Sequence, residues 1–142
     1  MGIAGRPKAH LLRRLPLLFL IAAAPSMPDP QLTPGMVADT DPAIICAPGY
    51  SRSHRVWHDK AGTLAKYGIP LADAAQYEDD DRVPICLGGD NGSALNHWPE
   101  AWDQAERKDE LERRLCRAVC VGENALPAAQ AIFLGDWQNA YR

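Results

Sequence analysis

The sequence predicts an α+β domain in which two short strands precede a long helix. Two observations lead to this fold class. Strand-like segments at 77–87 and 95–98 flank a polar loop, and the apolar residues of 101–120 recur at helical spacing. The 142 residues fit one domain, and 46% hydrophobic with 23% charged residues are typical of a soluble globular protein. This composition excludes a wholly disordered chain and a multi-span membrane protein.

The N-terminus is typical of an export signal. Basic residues and no acidic ones precede 15–24, a run that is apolar apart from Pro16. Such a run is about half the ~20 residues that a membrane-spanning helix needs, but it suits a signal peptide. We therefore predict a signal peptide over 1–26, cut before Met27, and a secreted or periplasmic protein with no stable membrane association. Without the cut, the leader would anchor the protein in the membrane.

Removal of this leader would make the chain more acidic and leave one folded domain. The net charge would change from −3 to −7, because four of the 15 Lys/Arg leave while all 18 Asp/Glu remain. This acidic net charge does not indicate nucleic-acid binding, because contacts to phosphates need positive charge. Prolines without a helical period predict an extended arm over 27–45, and the domain itself spans 46–142.

Three helical segments are predicted within the domain. Residues 59–67 suit a short helix that Asp59 would cap. Residues 101–120 form the clearest helix, with an apolar stripe and charged residues on its other faces. A last helix is predicted over about 126–141, so short helices flank the two strands and the long helix.

The cysteines predict a stapled fold. An even count of four in an exported chain suggests two disulfides. Cys116 and Cys120 lie one helical turn apart and can face the same way, so we expect each to bond a different partner, Cys46 or Cys86. A zinc site is the alternative, although the chain has no Cys-x-x-Cys pair.

The most unusual stretch is the acidic run Glu78-Asp79-Asp80-Asp81. Adjacent carboxylates repel one another unless water or a cation screens them. In a strand, Asp79 and Asp81 would point one way and Glu78 and Asp80 the other. Two carboxylates near a helix can hold Mg²⁺, whereas a solvated acidic loop would need no ion.

The surrounding segment, 77–100, resembles the HNH endonuclease family. It is most similar to a small bacterial and phage branch with the elements Tyr-Glu-x-Asp-His, Ile/Val-Pro, Leu-Gly-Gly and Asn-Leu-Trp-Pro. The matching positions are Tyr77, Glu78, Asp80, Val83, Pro84, Leu87, Gly88, Gly89, Asn96, Trp98 and Pro99. Weaker similarity extends the resemblance over about residues 33–141.

The resemblance implies a ββα-metal fold, a hairpin packed on a helix around one divalent cation. The expected cation is Mg²⁺, with Mn²⁺, Ca²⁺ or Zn²⁺ as alternatives, and the expected reaction is hydrolysis of phosphodiester bonds in nucleic acid, in DNA rather than RNA. By position, the resemblance assigns metal binding to Asp80 and Glu78, catalysis to Asp81, Asn96 and Lys108, and nucleic-acid contacts to Arg55 and Arg82.

The chain departs from the family at the general base, because Asp81 stands where the family has His. An Asp has an unperturbed pKa near ~3.9 against ~6.5 for His. Loss of a positioned base typically costs about 10²–10⁴ in rate. His54, His58 and His97 are alternative sources of an imidazole, although alternation along a strand would turn His97 away from the face of Asn96.

The sequence is therefore compatible with three functions. The chain is an exported metal-dependent endonuclease with an altered base, or a degenerate HNH-fold protein that binds metal or nucleic acid without cleavage, or a disulfide-stapled extracytoplasmic binding domain.

Overall fold

A computed structural model of the chain describes Met1 and residues 25–142. Almost all of the predicted leader lies outside the described residues. None of the helices in the described part of the chain has the length and apolar character needed to cross a membrane. This part contains two disulfides, which indicate an extracellular or otherwise oxidising location.

The fold is mixed α+β, with one two-stranded antiparallel sheet in the described residues. Its strands are β1 (Tyr77–Asp81) and β2 (His97–Ala101). The helices in chain order are α1 (Pro42–Ile45), α2 (Tyr50–Ser53), α3 (Lys60–Lys66), α4 (Trp102–Cys120), α5 (Leu126–Leu134) and α6 (Trp137–Tyr141). Short 3₁₀ turns at Leu71–Gln76 and Ile85–Leu87 precede and follow β1.

The hairpin presents two chemically different faces. Asp81 pairs with His97 across the sheet, and paired residues of antiparallel strands lie on the same face. Because side chains alternate along each strand, this pair also determines which face each remaining strand residue occupies. The His97 face carries Asp79, Asp81 and His97, and the Lys108 face, which packs against α4, carries Glu78, Asp80, Trp98 and Glu100.

The long helix α4 forms where the apolar spacing predicts it. Leu111, Leu115 and Val119 recur at intervals of four and are buried against α5 and α6, together with Phe133 of α5. The predicted boundaries, 101–120, differ from Trp102–Cys120 by one residue. The same stripe carries Lys108, which is buried and directed at the hairpin.

Two disulfides join α4 to the rest of the domain. Cys46 bonds Cys120, and Cys86 bonds Cys116, so the two cysteines of the helix take different partners as predicted. One bridge ties the end of α1 to the end of α4, and the other ties the 3₁₀ turn after β1 to α4 one turn earlier. All four cysteines are bonded, which removes the alternative of a cysteine zinc site.

The structure corrects several predicted boundaries. The strand-like segment 77–87 is a strand only as far as Asp81, because Pro84 begins a 3₁₀ turn, and the second strand is His97–Ala101 rather than 95–98. The last helix, predicted as continuous over 126–141, is interrupted at Gly135, and Asp136 caps α6 by accepting a hydrogen bond from the Gln138 backbone.

Gly88 allows the N-terminal arm to pack against the loop between the strands. Its φ of +81° is in the left-handed region, and a Cβ there would lie 2.0 Å from the Asp39 carbonyl oxygen. The Gly88 carbonyl accepts a hydrogen bond of 2.8 Å from the Ala38 backbone, and Val37 forms a bridge with Gly89. The segment predicted as an arm over 27–45 has a turn at 30–32, a bridge at Val37 and ends in α1.

Candidate functional site

The Lys108 face is organised around one buried ammonium group. Lys108 Nζ donates hydrogen bonds to Asp80 Oδ2 at 2.6 Å, to the Asp81 carbonyl at 2.7 Å and to Glu112. Its side chain is 1% exposed. The predicted metal ligand Asp80 is therefore neutralised by a lysine of α4, which stands where a cation between Asp80 and Glu112 would have to lie.

The charges on this face depend on that lysine. Burial alone would lower the pKa of Lys108, but the Asp80 and Glu112 carboxylates raise it well above its usual value. Burial would likewise raise the pKa of Asp80, and the ammonium lowers it. Burial raises the pKa of Glu112 to about 7, and burial together with Asp80 raises that of Glu100 to about 11. At neutral pH Glu100 is therefore protonated and Lys108 charged.

The His97 face carries a different cluster, formed by His58, Asp79 and His97. His97 Nδ1 lies 3.6 Å from Asp79 Oδ1, and His58 Nδ1 lies 3.8 Å from Asp79 Oδ2. One ligand atom of each residue lies within 4.8 Å of the other two, so the group could hold a metal ion. His58 reaches the hairpin from the segment between α2 and α3, and its ring meets that of His97 edge to face at 3.8 Å.

This cluster has buried polar atoms without hydrogen-bond partners in the described part of the chain. They are both carboxylate oxygens of Asp79, Nδ1 of His97 and Nε2 of His58. The Asp79 side chain is 8% exposed and that of His97 is 6% exposed. A buried polar atom without a partner is costly, so the arrangement favours a ligand that accepts these lone pairs.

Asn91 orients both His97 and Asp81. Its backbone carbonyl oxygen lies 2.9 Å from His97 Nε2, and its side-chain Nδ2 donates a hydrogen bond of 2.8 Å to Asp81 Oδ2. Its Oδ1 accepts from the backbone of Val56, which holds the segment that carries His58. Because a carbonyl can only accept, His97 Nε2 carries a proton, and Nδ1 is the ring nitrogen that faces Asp79.

Asp81, which the sequence resemblance aligns with a general base, is held by two amides. Asn91 and Asn96 donate to its two oxygens, at 2.8 Å and 3.1 Å. Burial raises the pKa of Asp81, while the nearby His97 acts in the opposite direction. Asp81 Oδ1 also lies 3.6 Å from His97 Nε2. Asn96 and His97 thus both approach Asp81, because Asn96 lies just before β2 and is not bound by strand alternation.

Asn96 also holds the backbone around the site. Its Oδ1 accepts from the backbone N–H groups of Val83 and Met36, and its Nδ2 donates to the Val83 carbonyl at 3.0 Å. The side chain is fully buried. It therefore connects the end of β1, the arm and Asp81.

The two arginines of the predicted nucleic-acid contact lie in different environments. Arg55 is exposed and lines an open cleft of about 240 Å³ together with the acidic run, His58, Ser51 and Glu112. Burial, followed by Asp80, raises the pKa of Glu78 in this cleft. Arg82 is buried and donates to the backbone carbonyls of Thr33, Phe133 and Leu134, so its guanidinium ties α5 to the arm and faces no open surface.

A second cavity opens on the other side of the His cluster. It has a volume of about 360 Å³ and is lined by Trp57, His58, Lys66, Asn91 and His97, among others. Trp57 is 97% exposed, and its neighbour His58 lines both cavities. The His cluster therefore separates an acidic cleft from a cavity with an exposed aromatic ring.

Part of this site is predictable from the sequence. Strand alternation predicts Asp79 and Asp81 on one face, and His58 and His97 are predicted as alternative imidazole sources without a link to Asp79. No sequence signal predicts the role of Asn91, because an Asp-Asn-Gly sequence in a polar loop indicates only a turn. His54 lies outside the cluster, where its Nδ1 contacts the carbonyl of Tyr50.

Comparisons with known proteins assign no family, since no protein-family model, no curated protein and no solved structure matches this chain.

Proposed function

We propose that the chain is an extracytoplasmic, metal-dependent hydrolase of nucleic-acid phosphodiester bonds, built on an HNH-like hairpin and helix. The observation that carries the proposal is the group of His58, Asp79 and His97, whose buried, unpartnered atoms lie beside Asp81. His58, Asp79 and Asp81 also line an open cleft. The proposed metal centre is on the His97 face, whereas the sequence resemblance expects the ion at Asp80.

The donor set suits a hydrolytic metal ion. Two imidazoles and one carboxylate make three protein ligands, which is the number found in catalytic zinc centres that keep a position open for water or substrate. When bound, such an ion polarises a phosphoryl oxygen and lowers the pKa of bound water. The Asp79 carboxylate gives the site its charge attraction for a cation.

The residues around the centre suit a phosphodiester substrate. Asn91 and Asn96 position Asp81 to accept a proton, and burial raises its pKa. Arg55 offers a positive charge in the same cleft. Exposed Trp57 beside the second cavity offers a ring on which a base of a single strand can stack.

The acidity of the cleft explains why the reaction would need a metal. Glu78, Asp79, Asp80 and Asp81 all line it, and Arg55 is its one cationic guanidinium among the lining residues. A phosphate would be repelled unless a cation offsets this charge. Binding of nucleic acid is therefore expected to depend on the metal as strongly as cleavage does.

A second candidate function is metal binding without cleavage. The observation in its favour is Asp81 itself, because both of its oxygens already accept hydrogen bonds from amides, which favour the charged carboxylate and weaken it as a base. On this alternative, the scaffold and the metal centre remain but water is not deprotonated.

A plasmid-nicking assay on the oxidised protein separates the two candidates. It compares Mg²⁺, Mn²⁺ and Zn²⁺ with an EDTA control, for the natural chain, Asp79→Asn, Asp81→His and the exposed control Asp103→Asn. Nicking by the natural chain that EDTA and Asp79→Asn abolish and Asp103→Asn retains supports the hydrolase. Nicking by Asp81→His alone supports the second candidate and overturns the first. If the natural chain and the variants that still bind metal all fail to nick the plasmid, the hydrolase proposal is also overturned.

A further inference from the structure

We infer that the ion of the His97 face is a borderline transition metal of the Zn²⁺ class, bound by His58, Asp79 and His97 and positioned by Asn91. This deepens the proposed function by naming the metal, and it replaces the Mg²⁺ expected from the sequence resemblance. It rests on the same site, but it does not require that the protein cleave a substrate.

The donor chemistry selects the metal. Two of the three donors are imidazole nitrogens, which suit zinc, copper, iron and nickel. Mg²⁺ takes oxygen ligands, keeps several waters and is usually bound through one or two carboxylates. Asp80, Glu100 and Glu112 offer oxygen donors on the opposite face, but Lys108 already neutralises Asp80 and Glu112 there.

The spacing of the donors fits a bound ion better than hydrogen bonds. The two Asp79–His distances are 3.6 and 3.8 Å, which is too long for a hydrogen bond. In a tetrahedral site with metal–ligand bonds of about 2.0–2.1 Å, two ligand atoms lie roughly 3.3–3.4 Å apart. Each Asp79–His separation, measured to a different carboxylate oxygen, exceeds this spacing by a few tenths of an ångström, and one ligand atom of each of the three residues lies within 4.8 Å of the other two. No other described side chain supplies a hydrogen bond to Asp79.

The surroundings of His97 are those of a metal-binding imidazole. A ligating His almost always donates its second ring N–H to a carbonyl or carboxylate, which fixes the tautomer and the ring plane. His97 Nε2 does so to the Asn91 carbonyl at 2.9 Å, with Asp81 Oδ1 at 3.6 Å. Its Nδ1 is buried, unpartnered and 3.6 Å from Asp79. The ring is therefore oriented for an ion before the ion binds.

Metal titrations of the EDTA-treated, oxidised protein test this inference without any substrate. Calorimetry with Zn²⁺ and Mg²⁺ gives affinity and stoichiometry, and visible absorption of Co²⁺ reports the ligand geometry. The variants are His58→Ala, Asp79→Asn and the control His54→Ala, whose ring lies outside the cluster. Asn91→Ala tests positioning, with thermal unfolding of each metal-free variant as a check on folding.

We expect one Zn²⁺ per chain, bound at least 100-fold more tightly than Mg²⁺, with a Co²⁺ absorption band that Zn²⁺ displaces. His58→Ala and Asp79→Asn should abolish this binding and His54→Ala should preserve it. Asn91→Ala keeps the backbone carbonyl that faces His97 but removes the side-chain contacts to Asp81 and the Val56 backbone, so it should weaken binding about 10-fold. Equal affinity for Zn²⁺ and Mg²⁺, no Zn²⁺ binding, or full Zn²⁺ binding by a folded His58→Ala variant would overturn the inference. Zn²⁺ binding without nicking would refute the proposed hydrolase alone, and Mg²⁺-dependent nicking without Zn²⁺ binding would refute this inference alone.

Discussion

Replacing Lys108 with Met tests whether the Lys108 face is an internal ion pair. The substitution keeps most of the side-chain length but removes an ammonium that is 1% exposed and donates to Asp80, Glu112 and the Asp81 carbonyl. Removing one partner of a buried ion pair typically costs about 3–5 kcal/mol, since the other charges stay buried without compensation. We expect a loss of this size in the free energy of unfolding at pH 8. The loss should be smaller at pH 5, where Glu112, with a pKa of about 7, is protonated.

Denaturant unfolding of the oxidised protein measures this loss. The matched control is Arg113→Met on the same helix, because Arg113 pairs with Asp109 at 3.9 Å while the two side chains are 68% and 55% exposed. An exposed pair of this kind contributes about 0–1 kcal/mol. If Lys108→Met costs no more than Arg113→Met, the buried ion pair is not the feature that holds α4 to the hairpin, and the reasoning is refuted.

Three further predictions concern pH, the disulfides and the exposed ring. Burial raises the pKa of Glu100 to about 11, so above pH 4.5 this group holds its proton in the folded protein and loses it in the unfolded chain. The free energy of unfolding should therefore fall as pH rises from 5 to 8. In denaturant titrations, Glu100→Gln should reduce that slope without destabilising the protein at pH 8. By the loop-entropy relation, removing the Cys46–Cys120 bridge, with a sequence separation of 74, should lower the free energy of unfolding by about 4.5 kcal/mol, and removing the Cys86–Cys116 bridge, with a separation of 30, by about 3.6 kcal/mol. Unfolding curves of the two paired Cys→Ser variants measure these losses, and the opposite order would contradict this account. In fluorescence anisotropy, Trp57→Ala should weaken the binding of single-stranded DNA to the metal-loaded protein by about 1–3 kcal/mol, while the melting temperature stays unchanged because Trp57 is exposed. Unchanged affinity would exclude stacking of a base on this ring.

Elements set by local sequence were predictable. The α4 helix follows from apolar residues at intervals of four, and Asp59 caps α3 by accepting a hydrogen bond from the Gly62 backbone, as its sequence position predicts. That Cys116 and Cys120 bond different partners also follows from their spacing and the even cysteine count, whereas the choice between Cys46 and Cys86 for each depends on tertiary packing. The two helical features depend on neighbours within a turn or two of the chain.

The candidate site was only partly predictable, because tertiary packing assembles it. Strand alternation placed Asp79 and Asp81 on one face, but no local pattern brings His58 over the hairpin from a segment twenty residues away. Asn91 contacts three separate segments from a loop whose sequence indicates only a turn. The sequence resemblance predicts a metal ion at Asp80, whereas in the fold the Lys108 ammonium already pairs with this carboxylate.

The anomalous scattering of crystals soaked with Zn²⁺ tests the central claim, that the metal centre lies on the His97 face. The account predicts one peak within bonding distance of Asp79 and His97 Nδ1, with His58 as the third ligand. A peak beside Asp80 and Glu112 on the Lys108 face, or no peak at either place, would contradict it.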